Sequence, residues 1–174
     1  MAVASKLRLF LWEDCPRNCS GCCNKDWDIE NLPYAENFDR YEEIYLTGGE
    51  PLMYPIKLVD VITKLMNAGA KKIYVYTAMI TGIDVILCYV DGITLTLHTQ
   101  QDAEDFRAYS ESCHNQHVSK SLRLNVFDCV DISGIDTTGW VVKSGMEWID
   151  NCPLPEGEEF MRWRNQDPIC KFKA

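Results

Sequence analysis

Short apolar runs and two-residue alternation predict five β-strands in the first three quarters of the chain. They cover residues 6–12, 43–47, 72–77, 92–99 and 120–127. In the fourth, Ile93, Leu95 and Leu97 alternate with polar residues, so one face of the strand is apolar and the other is polar. Residues 140–143 predict a sixth, shorter strand, and residues 153–159 an extended surface loop.

The segments between these strands carry helical patterns. Residues 55–70 place Leu58, Ile62, Leu65 and Met66 at three-to-four spacing, and Gly69 is a stop signal. Thr81 and Asp84 resemble the start of a second helix, and residues 101–113 predict a third with Ala103 and Phe106 facing inward. Strands that alternate with helices predict an α/β fold with parallel strands. The polar faces of the fourth and fifth strands predict a curved sheet with a ligand on its concave face.

Composition narrows the class of protein. A chain of 174 residues fits one domain, which we place at 1–174 with its core at about 6–130. No apolar run approaches the roughly 20 residues of a membrane span, and no secretion signal is present, so we expect a soluble, cytoplasmic protein. The formal net charge of −9 disfavours non-specific binding to nucleic acid.

The nine cysteines are the most unusual part of the composition. A reducing cytoplasm favours thiols and metal ligands over disulfides. We expect five cysteines to be buried or incidental: Cys88, Cys113, Cys129, Cys152 and Cys170.

Cys15, Cys19 and Cys22 form a CxxxCxxC loop after the first predicted strand. A structural zinc site or an electron-transfer cluster uses four protein ligands, and this loop offers three in register. The spacing predicts an iron-sulfur cluster with one iron open to a non-protein ligand. Cys23 allows an alternative CxxxCxxxC register, which we disfavour.

A second motif, Thr47-Gly48-Gly49-Glu50-Pro51, follows the second predicted strand. Paired glycines let the backbone approach a ligand closely, and Pro51 suits the start of a helix. Alone, the motif is equally typical of a simple strand-to-helix turn. Its position after the cysteine loop gives it more weight.

Together and in this order, the two motifs resemble the radical S-adenosylmethionine (SAM) superfamily, over roughly residues 6–129. The resemblance implies a partial (β/α) barrel of about five to six parallel strands, with residues 131–174 over its mouth. It also implies a 4Fe-4S cluster on Cys15, Cys19 and Cys22, with SAM on the fourth iron. An electron donor similar to flavodoxin or ferredoxin would reduce the cluster, and a 5′-deoxyadenosyl radical from SAM would take hydrogen from a substrate.

The resemblance assigns further roles by position. Gly48, Gly49 and Glu50 match the segment that contacts the SAM amino group, and Thr77 matches a polar position that faces SAM. Four more residues belong to the predicted concave face: Thr96, His98, Arg123 and Asn125. Arg123 would pair with the SAM carboxylate, and His98 is the candidate catalytic residue. Internal hydrogen bonding is an equally good explanation for Thr96 and Asn125, and a satisfied or surface histidine is a better one for His98.

Three functions remain open. The small size, Gly21 and Asn24 resemble the activases of glycyl-radical enzymes, whose substrate is a protein, although Cys23 and Glu50 depart from that pattern. The second is a radical SAM enzyme that modifies a small molecule or a nucleotide. The third and most remote is a non-catalytic zinc or iron-sulfur module.

Overall fold

The computed structural model describes residues 5–112 and 119–164, so Cys113 and Cys170 lie outside the described residues. The described chain forms seven strands and three α-helices. In chain order these are β1 (Lys6–Phe10), β2 (Glu43–Thr47), α1 (Pro55–Asn67), β3 (Ile73–Thr77), α2 (Ile83–Leu87), β4 (Gly92–Leu97), α3 (Gln100–Ser112), β5 (Ser121–Phe127), β6 (Val141–Met146) and β7 (Glu158–Arg162).

The seven strands form one open, all-parallel sheet in the order β6-β5-β4-β3-β2-β1-β7. The α/β class with parallel strands is confirmed. The expected five to six strands were too few, because β7 occupies a segment that begins inside the expected surface loop. Its sequence, Glu-Glu-Phe-Met-Arg, has no strong strand signal, and pairing with β1 decides its conformation.

The two faces of the sheet differ in chemistry. On one face, buried strand residues such as Leu9, Leu46 and Leu95 share a core with the inward residues of the helices, including Ile62 and Phe106. This face accounts for the apolar half of the predicted alternation. We call the opposite side the polar face; it carries Arg8, Tyr45, Tyr76, Thr96 and Asn125.

Two helix predictions need correction. In α1, Val61 is buried and Met66 is 56% exposed, because the 3.6-residue period carries position 66 to the edge of the buried stripe. Helix α2 begins after Gly82, whose φ is 93°, and it has no side-chain cap, so the predicted cap at Thr81 and Asp84 was wrong. Gly69, with φ of 87°, follows α1 as predicted.

In the described residues, no helix has the length and apolar character needed to cross a membrane.

Candidate functional site

The two sequence motifs meet at one cavity, at the carboxyl ends of β1 to β4. The cavity has a volume of about 250 Å³. Its lining contains these predicted residues: Cys15, Cys19, Cys22, Gly48, Gly49, Glu50, Thr77, Thr96 and His98. They converge because each follows or ends a parallel strand, and the carboxyl ends of such strands share one edge of the sheet, where ligands bind in open α/β sheets.

The backbones of the cysteine loop (residues 15–22) and the glycine loop (residues 48–50) are joined through closely packed flanking residues. The Gly49 amide donates to the Trp12 carbonyl at 2.6 Å, and the Glu50 amide donates to the Asp14 carbonyl at 2.9 Å. A Cβ atom at Gly49 would lie 2.1 Å from the Asp14 carbonyl oxygen. Residue 49 must therefore be glycine, because its backbone passes very close to the backbone of Asp14, the residue before Cys15.

The segment directly after the cysteine loop contacts the glycine loop as well. The Asn24 side-chain amide donates to the Gly48 carbonyl at 2.8 Å. Gly48 has φ of 141°, a conformation that favours glycine, and a Cβ there would lie 2.6 Å from the Trp12 carbonyl oxygen. Hydrogen bonds on both sides thus fix the cysteine loop against the glycine loop.

Glu50 holds the glycine loop to β3. The residue is 2% exposed. Its carboxylate accepts hydrogen bonds from the Leu52 amide at 3.0 Å, the Thr77 hydroxyl at 2.6 Å and the Ala78 amide at 2.9 Å. A carboxylate has about four acceptor positions. Three are used internally, so Glu50 and Thr77 bind each other and about one position remains for a ligand.

Arg17, inside the cysteine loop, anchors that loop to α3 and to the segment that follows β3. Its guanidinium binds both carboxylate oxygens of Asp102, at 2.9 and 2.5 Å, and donates to the Ala78 carbonyl at 2.7 Å. Asp102 also accepts the amides of His98 and Thr99, at 2.8 and 2.9 Å. Burial by itself raises the pKa of Asp102, but Arg17 and the amides bring the pKa below its usual value. Asp102 is therefore charged and joins α3 to the cysteine loop and to the segment after β4.

His98 lies where the cavity meets the connection that follows β6. Its ring stacks on Trp148, with centroids 5.1 Å apart and an interplanar angle of 9°, and contacts Phe127 at 4.8 Å. Its Nδ1 is buried and has no hydrogen-bond partner among the described residues. Burial is the main cause that lowers the pKa of His98, and the nearby charge of Arg17 lowers it further. The imidazole is therefore neutral at pH 7 and still has hydrogen-bonding capacity.

Cys15, Cys19 and Cys22 are free thiols. Partial burial raises the pKa of Cys15 and of Cys19, and the neighbouring Cys22 contributes in the same direction. No group of three or more His, Cys, Asp or Glu side chains in the described ranges is arranged to hold one metal ion. A cluster with several irons takes one thiolate on each iron, so its ligands line a space instead of meeting at a point. Three thiols on one cavity wall fit that donor set.

Cys23 and Cys152 form a disulfide, which corrects the expectation that the cysteines are thiols or metal ligands. Cys23 is thereby removed as an alternative ligand in the oxidised protein. Cys152 is neither buried nor incidental. Cys88 and Cys129 are exposed free cysteines, which agrees with the expectation only in its second alternative, that they are incidental. Sequence spacing could not find the disulfide pair, because 129 positions separate its two residues.

Two predicted residues lie outside the cavity lining. Arg123 is exposed and its charge acts on Tyr45 and Tyr76 on the polar face, whereas Asn125 is half-buried and lies opposite Thr96. Both are on β5, one strand beyond those that supply the lining. The predicted pairing of Arg123 with a ligand in this cavity is therefore not supported by its position.

The cavity also contains residues that the motifs did not predict, chiefly Arg8, Tyr76, Trp148 and Phe160. The position of Asp102 could have been recognised from the sequence, because Thr99 and Asp102 have the spacing of a capping box at the start of α3. In the structure the Asp102 amide donates to the Thr99 hydroxyl, and the Thr99 amide donates to the Asp102 carboxylate. Trp148 had no such signal, because nothing in the sequence distinguishes it from the other four tryptophans.

Comparison with known proteins does not identify the chain. No family model matches it, and no curated protein or solved structure matches it.

Proposed function

We propose that this protein is a radical SAM enzyme, with a 4Fe-4S cluster on Cys15, Cys19 and Cys22 and SAM as the ligand of the fourth iron. One observation carries the proposal. The three free thiols and the glycine loop, which lie far apart in sequence, line the same cavity at the carboxyl edge of an open parallel sheet. The open sheet is compatible with the partial barrel of this superfamily.

When bound, the reduced cluster would supply the electron that cleaves SAM to methionine and a 5′-deoxyadenosyl radical, which takes a hydrogen atom from the substrate. The chain would supply position and exclusion of water. Arg17, Asn24 and Glu50 fix the two loops, and the free acceptor position of Glu50 suits the SAM amino group. Trp27, Trp148 and Phe160 give the cavity aromatic walls that limit competing reactions with water.

The wall of the cavity around Trp148 favours a small molecule as substrate. Trp148 lines that wall together with Cys23, whose disulfide partner Cys152 lies on the connection between β6 and β7. The alternative is an activase that acts on a glycyl-radical enzyme. Either reaction needs an external one-electron donor of the flavodoxin or ferredoxin type.

The first experiment is anaerobic reconstitution with iron and sulfide. We expect a brown protein whose iron and sulfide content matches one 4Fe-4S cluster. Cys15→Ala, Cys19→Ala and Cys22→Ala should each prevent assembly, while Cys88→Ala, at an exposed free cysteine, should not. Zinc in place of iron, or assembly that survives all three loop variants, would contradict the cluster assignment.

The second experiment adds SAM and dithionite to the reconstituted protein. Formation of 5′-deoxyadenosine is expected, and its absence with an intact cluster would reject the enzyme and leave a non-catalytic iron-sulfur module. Electron paramagnetic resonance then separates the substrate classes. A glycyl radical formed on an added partner enzyme would support the activase, whereas deuterium transfer from a labelled metabolite into 5′-deoxyadenosine would support a small molecule.

A further inference from the structure

The connection between β6 and β7, residues 147–157, links opposite edges of the sheet. Strand β6 is the edge beyond β5, and β7 is the edge beyond β1. Along this path Trp148 reaches His98 after β4, and Cys152 reaches Cys23 after β1. We call residues 147–157 the strap, because they pass over the wall of the cavity.

The strap has very few attachments. Residues 147–156 make no hydrogen bond or ion pair with any described residue outside the strap and its junction with β7. Gly157 accepts one, from the Lys6 amide at 3.3 Å. Most of the strap is exposed. The disulfide and the Trp148 ring are therefore its main attachments to the cavity.

Trp148 occupies space beside the cysteine loop itself. Its ring stacks on His98 and lies 4.5 Å from Phe127 between centroids. A Cβ atom at Gly21 would lie 2.5 Å from the Trp148 ring, so the loop between Cys19 and Cys22 has room for this tryptophan only because residue 21 is glycine. The position of Trp148 thus controls one side of the space around the three thiols.

The backbone next to the disulfide is in an unfavourable conformation. Cys152 has a φ angle of 31°, in the left-handed region that non-glycine residues seldom adopt, and the preceding Asn151 has φ of 60°, which asparagine tolerates. Such conformations persist only where surrounding structure holds them. With few hydrogen bonds nearby, the covalent bond to Cys23 is the evident constraint, and its loss would let this part of the strap relax.

We propose that Cys23–Cys152 is a thiol-disulfide exchange site whose co-reactant is an external dithiol, and that its reduction releases the strap and opens the cavity. A thiolate of the dithiol attacks one sulfur and forms a mixed disulfide. The second thiol of the co-reactant then displaces the protein sulfur. Two electrons and two protons pass to Cys23 and Cys152, which become thiols, and the co-reactant becomes a disulfide.

This exchange goes beyond the proposed function and does not require it. If the protein is a radical SAM enzyme, its cavity would open under reducing conditions, and oxidation would close the strap over the cysteine loop. Trp148 packs against Gly21, between Cys19 and Cys22, so the redox state of the Cys23–Cys152 pair would govern access to these two partly buried thiols.

The test measures alkylation of Cys15, Cys19 and Cys22 by iodoacetamide at fixed pH, in the full chain isolated without added metal, with each site quantified by mass spectrometry. In the oxidised protein Cys23 and Cys152 should be protected. After treatment with dithiothreitol, and in Cys152→Ser without it, the partly buried Cys19 and Cys22 should react at least about tenfold faster, because local opening precedes their labelling, whereas Cys15 is already exposed and should change less. Reoxidation of the wild-type protein should restore the slow rate.

Two variants separate release of the strap from general unfolding. Trp148→Ala keeps the disulfide and should accelerate labelling of Cys19 and Cys22, while Cys88→Ser should leave their rates unchanged. Circular dichroism should show the same folded state in every sample. Equal labelling rates in the oxidised, reduced and Cys152→Ser proteins, or alkylation of Cys23 and Cys152 before reduction, would overturn the proposal whether or not a cluster can be assembled.

Discussion

The two walls of the cavity are held in different ways. The wall made by the cysteine and glycine loops is fixed by hydrogen bonds to buried or partly buried groups, in particular the carboxylates of Glu50 and Asp102. The wall made by the strap is held by one disulfide and one stacked tryptophan. The comparison indicates that the ligand-bearing loops are held in place by the fold, whereas the opposite wall can change position when a single bond changes.

Breaking the covalent attachment should have the largest effect on global stability. We expect Cys152→Ser to lower the free energy of unfolding by about 4 kcal/mol, because the disulfide restricts the unfolded chain across a sequence separation of 129 residues. Chemical denaturation of wild-type and variant protein without reductant measures this difference. Cys88→Ser is the matched control, and dithiothreitol should abolish the difference. A change below about 1 kcal/mol would mean that the bond contributes little beyond holding the strap.

Breaking the Glu50 anchor tests the rigid wall. Glu50→Ala leaves the Leu52 and Ala78 amides and the Thr77 hydroxyl without their acceptor, and we expect a loss of about 3 kcal/mol in the free energy of unfolding. Thr77→Val removes one of these bonds and should cost about 1 kcal/mol. Glu42→Gln, on the surface, is the control. Equal costs for Glu50→Ala and Glu42→Gln would show that the carboxylate does not anchor the loop.

Breaking the Arg17 ion pair should have a smaller effect on stability but a specific effect on the cysteine loop. Arg17→Gln should lower the free energy of unfolding by about 1 to 2 kcal/mol, because Asp102 is 5% exposed and would lose a bidentate partner. Lys71→Gln, which breaks an exposed ion pair with Glu42, should be nearly neutral.

Thiol labelling supplies the second measurement on Arg17→Gln. At fixed pH, Cys15 and Cys19 should become less reactive in this variant, because the Arg17 charge lowers the pKa of both thiols and its loss leaves less thiolate. Cys129, which is exposed, should not change. Unchanged reactivity at all three cysteines would show that the Arg17 charge does not act on the loop thiols.

The smallest effect that we expect is a dependence of stability on pH, caused by His98 at the contact between the two walls. Because the pKa of His98 is lowered in the folded protein, the unfolded state binds more protons below pH 6.5, the ordinary pKa of histidine. The stability contribution of neutral His98 is therefore present above pH 6.5 and is lost as the pH falls toward the lowered pKa. Wild-type protein should lose more thermal stability between pH 7.5 and 5.5 than His98→Gln does, and an identical loss would contradict a buried neutral imidazole.

The sequence predicted most of the structure that local patterns encode. Alternation at Ile93, Leu95 and Leu97 predicted a strand with one buried face, and the strand-helix alternation predicted parallel pairing. Because parallel strands end at one edge of the sheet, the order of the motifs was enough to bring Cys15, Gly49 and Thr77 to the same cavity. Strand β7 was missed because its conformation comes from pairing with β1 rather than from its own residues.

The sequence by itself determined the chemistry available to this protein: three thiols at CxxxCxxC spacing, a Gly-Gly-Glu loop, and the parallel order that brings them together. Only the tertiary structure decided how those groups are held and what closes the cavity. Arg17 and Asp102, Cys23 and Cys152, and Gly21 and Trp148 are pairs that are distant in the chain. Spacing rules describe neighbours along one element, whereas such pairs form only when the sheet brings separate loops into contact.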